Sequence, residues 1–291
     1  MTSTHARDTQ VVLVTGATDG IGRLVARDLA ARGATVLVHG RSTERGSATV
    51  AEIRAVTGNE RVSFYRADFA SLAEVRRAAA VITANHDRLH VLVNNAGLLG
   101  AGTESGPREL SQDGHELRFQ VNYLAPLLLT RLLLPLLRRA AADVGEARIV
   151  TVTSGAQQPL DFDDLMLERA YDRWEAYARS KLADAMFTLD LAEELAGTGV
   201  TANSLHPGSL LDTKMIRDTL VAPLGPAQAG ADAIVHLATS PELAGVSARY
   251  YDEMREARAH PQVYDPKARR RLRELTYALV DHGTSQGSAT T

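Results

Sequence analysis

Short apolar, β-branched runs alternate along the chain with longer stretches whose apolar residues recur three or four positions apart. The first pattern predicts buried strands and the second amphipathic helices. Residues 10–15, 34–39, 61–66, 89–93, 147–153 and 200–205 read as strands, and a seventh short strand is expected around Tyr250. Between them lie helical patterns opening at Gly20, near Ser71 and through Tyr177, with further helices around Lys214, over 226–238 and over a basic stretch at 266–280. Residues 110–140 read as one long helical region, with a break at Pro126 or Pro135 left open. Strands alternating with helices predict one α/β, doubly wound Rossmann-type domain over 8–282, with a mostly parallel seven-stranded sheet flanked by helices. Residues 283–291 read as a disordered tail.

Composition narrows the function classes. The chain has 291 residues, 45% hydrophobic and 23% charged, with net charge -3. It offers no basic field for nucleic acid or an anionic membrane surface. With no cysteine, disulfides, thiolate catalysis and Cys-ligated zinc are excluded. Residues 1–10 are polar and lack the apolar core of a signal peptide. The most apolar run, 123–137, is interrupted by Pro126, Arg131 and Pro135 and is taken as a buried helix, too short to span a bilayer. A cytoplasmic location is the default expectation. Asp161, Asp163 and Asp164 have no His near them, so no metal site is expected there.

The first strand runs into Gly16-Ala17-Thr18-Asp19-Gly20-Ile21-Gly22. A strand, a glycine-rich turn and a helix N-terminus together make a phosphate site, because glycines admit the pyrophosphate and the helix end supplies unpaired N–H groups. The second strand ends in His39-Gly40-Arg41-Ser42. A carboxylate at that strand end binds the ribose 2′-hydroxyl of NAD(H). Gly40 stands in its place and Arg41 follows, which favours NADP(H), unless Arg41 is only a surface residue opening the next helix. Asp68 is either an adenine contact or a helix cap. Asn94-Asn95-Ala96-Gly97, at the end of the fourth strand, suits a ligand crevice or a plain turn. Asn122, inside the long helix, is locally unfavourable and is either buried and hydrogen-bonded or functional.

Tyr177-Ala178-Arg179-Ser180-Lys181 carries the candidate chemistry. A tyrosine and a lysine four apart share one helix face. Their free pKa values are about 10 and about 10.4, and an adjacent ammonium favours the phenolate, making a usable general acid or base. The only lysines in this arginine-rich chain are Lys181, Lys214 and Lys267. A compact ammonium suits sharing donors between a phenol and a sugar hydroxyl better than a guanidinium does. His206, before Pro207-Gly208, is read as a structural strand-end residue rather than a base.

The ordered set Thr15 to Gly22, Asn94 to Gly97, Asn122, Ser154, Tyr177 to Lys181 and His206-Pro207-Gly208 resembles the short-chain dehydrogenases/reductases over about 11–250. The gap between Ser154 and Tyr177 and the run from Asp113 to Asn122 look most like the retinol-dehydrogenase-like, NADP(H)-linked branch. The resemblance implies that Tyr177 exchanges the proton with the substrate oxygen, Ser154 hydrogen-bonds that oxygen, Lys181 holds the nicotinamide ribose, and Asn122 positions a water. It implies cofactor contacts from Gly16, Thr18, Gly20, Ile21 and Gly22, from Asn95, Ala96 and Gly97, and from Pro207 and Gly208, beside Arg41, Asp68, Tyr177 and Lys181. Two positions depart from the pattern. Thr213 stands one place later than the family's threonine, and Thr153 replaces a common serine. The expected function is NADP(H)-dependent interconversion of a carbonyl and an alcohol, alternatives being a non-catalytic NADP(H)-binding regulator or an epimerase or dehydratase on the same scaffold. Specificity is expected in 97–106, in 155–174 and in 209–225, whose leucines and methionines suggest a fairly apolar small molecule. A homodimer or homotetramer is expected, with helices 123–137 and that of Tyr177 pairing across a two-fold axis or the former serving only as core.

Overall fold

The computed structural model describes residues 10–100 and 106–281. The ends of the expected domain at 8–9 and 282, the tail 283–291 and part of the substrate segment 97–106 lie outside the described residues. Eight strands form one sheet: β1 (Val11–Val14), β2 (Thr35–Gly40), β3 (Val62–Arg66), β4 (Val91–Asn94), β5 (Ala147–Val152), β6 (Val200–His206), β7 (Tyr250–Asp252) and β8 (Arg255–Ala257), in the order β3-β2-β1-β4-β5-β6-β7-β8. The first seven pair in parallel, and β8 pairs antiparallel with β7. The expectation of seven strands is corrected by β8, a charged, exposed edge piece with no apolar alternation to reveal it.

The helices are α1 (Gly20–Ala31), α2 (Thr43–Thr57), α3 (Leu72–Asn85), α4 (Leu117–Phe119), α5 (Ala125–Val144), α6 (Arg173–Glu194), α7 (Lys214–Arg217), α8 (Ala227–Thr239) and α9 (Pro266–Asp281). Strand residues alternate between two cores. Val12, Val14, Val36 and Val38 pack with α1 and α8, while Leu13, Leu37, Leu92 and Ile149 pack with α3, α5 and α6. Strand order reverses between β1 and β4, which opens the crevice where such sheets bind ligands.

The long helix differs from expectation at both ends. Residues 110–116 are not helical: Leu110 bridges Glu116, and Glu116 caps the Phe119 N–H at 2.7 Å. Helix then runs unbroken over Leu117–Val144, 28 residues, passing through a π-helical turn at Gln120–Leu124. Pro126 falls in the first turn of α5 and Pro135 inside it, and neither ends it. By length and composition this helix is long enough to cross a membrane, contrary to the shorter run expected. Its apolar window is nevertheless 78% buried inside the molecule, as a core helix is.

Part of the face expected to pair two copies packs against the chain's own α9. Arg269 bonds Asp190 at 2.7 Å, Tyr123 and Thr276 share a hydrogen bond of 3.1 Å, and Arg131 lies over the Tyr277 ring. Residues 180–188 of α6 are all buried in the protomer.

Candidate active site

The glycine-rich turn is held from below by two side chains. Thr15 Oγ1 donates to Val93 O (3.2 Å) and accepts the N–H groups of Asn95 (2.9 Å) and Ala96 (3.0 Å). His39 Nδ1 accepts the Gly16 N–H at 3.2 Å, so Nε2 carries the proton and donates to Ala67 O at 3.1 Å. The imidazole stacks on Phe69, and burial lowers its pKa to about 4. Gly16 has φ +64°, and a Cβ there would lie 2.8 Å from Ala96 Cα. Only glycine meets both demands. Asn95 Nδ2 donates to Thr15 O at 2.8 Å, so its amide ties β4 to the turn.

Helix α1 is capped by Asp19, which accepts the Gly20 N–H at 2.7 Å. The first helical bond runs from Arg23 N–H to Asp19 O, so the helix does not consume the N–H groups of Ile21 and Gly22. A glycine cradle and two spare donors at a helix N-terminus fit a dinucleotide's pyrophosphate. Pro207 and Gly208 lead into a loop that folds over this turn. The Thr213 methyl lies 3.5 Å from where a Cβ on Gly20 would stand. Thr213 Oγ1 itself caps α7, accepting the Ile216 N–H at 3.4 Å.

At the end of β2, a Cβ on Gly40 would come within 2.6 Å of Thr18 Cγ2. Thr18 thus occupies the space that a side chain at position 40 needs. Arg41 is exposed and makes no ion pair among the described residues. Asp68 is half-buried, and its Oδ1 accepts the Ala70 N–H at 3.0 Å, a local turn contact.

Beyond the crevice, Asn122, Ser180, Lys181 and Gly97 converge. Asn122 Oδ1 accepts the Leu98 N–H (2.7 Å), and its Nδ2 donates to Leu98 O (3.0 Å) and Ser180 Oγ (2.9 Å). The alternative of a buried, hydrogen-bonded asparagine therefore holds, and it sits in the π turn, a distortion frequent at functional sites. A Cβ on Gly97 would stand 3.7 Å from Lys181 Nζ and 3.8 Å from Asn122 Oδ1. Lys181 Nζ donates to Val152 O at 2.9 Å and to Asp184 Oδ2 at 3.0 Å. Tyr177 lies one turn earlier on the same face of α6, half-buried, with its ring against Trp174. Ser154 leaves the end of β5. Its Oγ accepts the Ala156 N–H at 3.1 Å, and its carbonyl accepts from Gln157 Nε2 at 2.8 Å.

The surrounding segments are pinned by buried polar groups that the sequence did not single out. Arg118, 1% exposed, pairs with Glu116 (3.2 Å) and Glu109 (2.7 Å) and donates to Leu99 O (2.8 Å). Tyr171 Oη donates to Glu116 at 3.3 Å. The carboxylates of Asp161 and Asp164 are spent on Arg169 and on local N–H groups. A cavity of about 870 Å³ opens beside Gly155, His206, Ser209, Leu211, Tyr250 and Arg258. His206 bonds Ser209 Oγ at 3.0 Å, and burial lowers its pKa.

The short chain dehydrogenase family profile matches residues 10–221, and the chain belongs to that family of oxidoreductase enzymes. It is 36% identical to retinol dehydrogenase 13 of Mus musculus, over 96% of this chain and 86% of that protein. It is 41% identical to polyprenol dehydrogenase of Mus musculus, over 90% and 81%. These relatives place it in the retinol-dehydrogenase-like branch. Among solved structures, the Pseudomonas aeruginosa RhlG/NADP active-site complex superposes with TM-score 0.67 at 26% identity, covering 84% of this chain and 94% of that one. The glycine cradle and this likeness together support binding of a nicotinamide cofactor.

Proposed function

We propose that the protein interconverts a carbonyl and an alcohol on a fairly apolar small molecule, using NADP(H) in preference to NAD(H). The observation that carries this is Lys181 Nζ bonded to Val152 O at 2.9 Å, at the end of the strand that Ser154 leaves, with Tyr177 one helical turn earlier on the same face of α6. When bound, the nicotinamide supplies or accepts the hydride. Tyr177 Oη gives its proton to the substrate oxygen during reduction and takes it back during oxidation. Ser154 Oγ donates to the same oxygen, and two preorganised donors there stabilise its developing charge. Lys181 uses its remaining donor toward the ribose. Asn122 keeps the water-positioning role that the resemblance implies, and its side-chain amide, engaged by Leu98 and Ser180, fixes where the residue stands.

NADP(H) preference rests on the space at Gly40 taken by Thr18 and on the free guanidinium of Arg41. An apolar substrate is supported by Leu220, Leu224 and Trp174, exposed at 80%, 76% and 51% on the segments flanking the site, and by relatives named for retinol and polyprenol. A cytoplasmic location accords with an apolar helix consumed by the core. Assembly into a dimer or tetramer, as the family resemblance implies, would use a surface other than the one under α9.

Tyr177→Phe tests the chemistry. Turnover of a carbonyl panel with NADPH should fall by at least roughly 10²-fold while NADPH affinity holds. Retained turnover contradicts the acid/base role.

A further inference from the structure

Tyr177, Lys181 and Asp184 occupy positions i, i+4 and i+7 of α6, which places them along one face of the helix. Asp184 is 2% exposed and Lys181 4% exposed. Their side chains meet at 3.0 Å, and Nζ also bonds Val152 O at 2.9 Å. An ammonium has three donors, so two are fixed by the protein and one is left for a ligand. We propose that Asp184 is the positioning residue of the Lys181 ammonium: it fixes Nζ at the end of β5 and offsets the field of Lys181 at Tyr177. This inference rests on the roles proposed above for Tyr177 and Lys181.

The surroundings leave that charge balance to the pair. Burial raises the Asp184 pKa to about 6, the Lys181 ammonium drawing it back down, so the carboxylate is charged at neutral pH. From the π turn, Tyr123 also faces Asp184, and burial keeps its phenol protonated. Arg269 of α9 is taken by Asp190 (2.7 Å) and Glu193 (2.9 Å). His206 of β6 responds to Asp252 and Glu253 instead. No second cation among the described residues pairs with Asp184.

The geometry has a sign. A carboxylate two helical turns from a phenol disfavours the phenolate, so removing it makes Tyr177 ionise at lower pH.

The test compares wild type with Asp184→Asn, which keeps an acceptor for Nζ and loses the charge, and Asp184→Leu, which loses both. The tyrosinate absorbance that Tyr177→Phe removes reports Tyr177 alone and needs no substrate. In Asp184→Asn it should move to lower pH, because a negative charge is removed, with NADPH affinity little changed. In Asp184→Leu, NADPH affinity should fall by about ten-fold as Nζ loses one of its two anchors and keeps only Val152 O. An unmoved titration in a folded Asp184→Asn protein overturns the inference, as does unchanged NADPH affinity in a folded Asp184→Leu protein. Failure of the oxidoreductase reading shows separately, as a wild type that binds NADPH without consuming it while the titration still shifts.

Discussion

His39 Nδ1 holds the Gly16 N–H at 3.2 Å, from inside a β-strand and 23 positions away in the chain. The bond needs a neutral ring. The folded pKa of about 4 lies below the ordinary 6.5, so the unfolded chain binds a proton that the folded one refuses. His39 therefore contributes stability above about pH 6.5 that is lost as pH falls toward about 4, up to about 3 kcal/mol. Asp184, raised to about 6, pulls the opposite way over the lower part of that window. The informative quantity is thus the difference between wild type and His39→Gln, whose amide keeps a donor and an acceptor but gains no proton. Thermal melts from pH 7 to pH 5 should fall less steeply in the variant. Parallel slopes would remove His39 from the account.

Arg41→Ala should weaken NADPH by about ten-fold or more while leaving NADH nearly unchanged, because a charge-assisted contact to a 2′-phosphate is lost only with NADPH. Gly40→Asp should not simply restore NADH binding. Its Cβ meets Thr18, so it should weaken both cofactors until Thr18 is shortened to glycine. Titrations of both cofactors on the two variants check this.

Arg118 and Glu116 are each 1% exposed, whereas Glu109 is 53% exposed. Arg118→Met leaves a buried carboxylate unpaired and should cost roughly 3–5 kcal/mol in denaturant unfolding. Glu109→Gln should cost less than about 1 kcal/mol. Equal costs would mean that burial does not set the strength of this cluster.

The parts of this protein that were legible in its sequence are those fixed by local rules. Strands β1 to β6 announce themselves as short apolar runs rich in β-branched residues, Gly16 to Gly22 as a turn between strand and helix, and Tyr177 with Lys181 as a helical pair. What stayed hidden depends on partners met through space. Nothing near His39 says that its ring will meet Gly16, and Asp184 reads as one more helical acid until α6 is seen buried along 180–188. The signal was available in its spacing, three residues after Lys181 and seven after Tyr177. Strand β8 was missed because a charged edge has no buried face to pattern. The π turn was missed because one widened turn leaves the apolar period almost intact, and the helix start at Leu117 because Glu116 caps it from a position that also fits a helix interior.

The most direct measurement is equilibrium binding of NADPH and NADH to the purified protein, followed at the reduced-nicotinamide absorbance band as apolar aldehydes and ketones are added. The account predicts tighter binding of NADPH than of NADH and loss of the band with at least one carbonyl, abolished in Tyr177→Phe. NADH binding as tightly as NADPH would contradict the cofactor assignment, and loss of the band that persists in Tyr177→Phe would contradict the catalytic one.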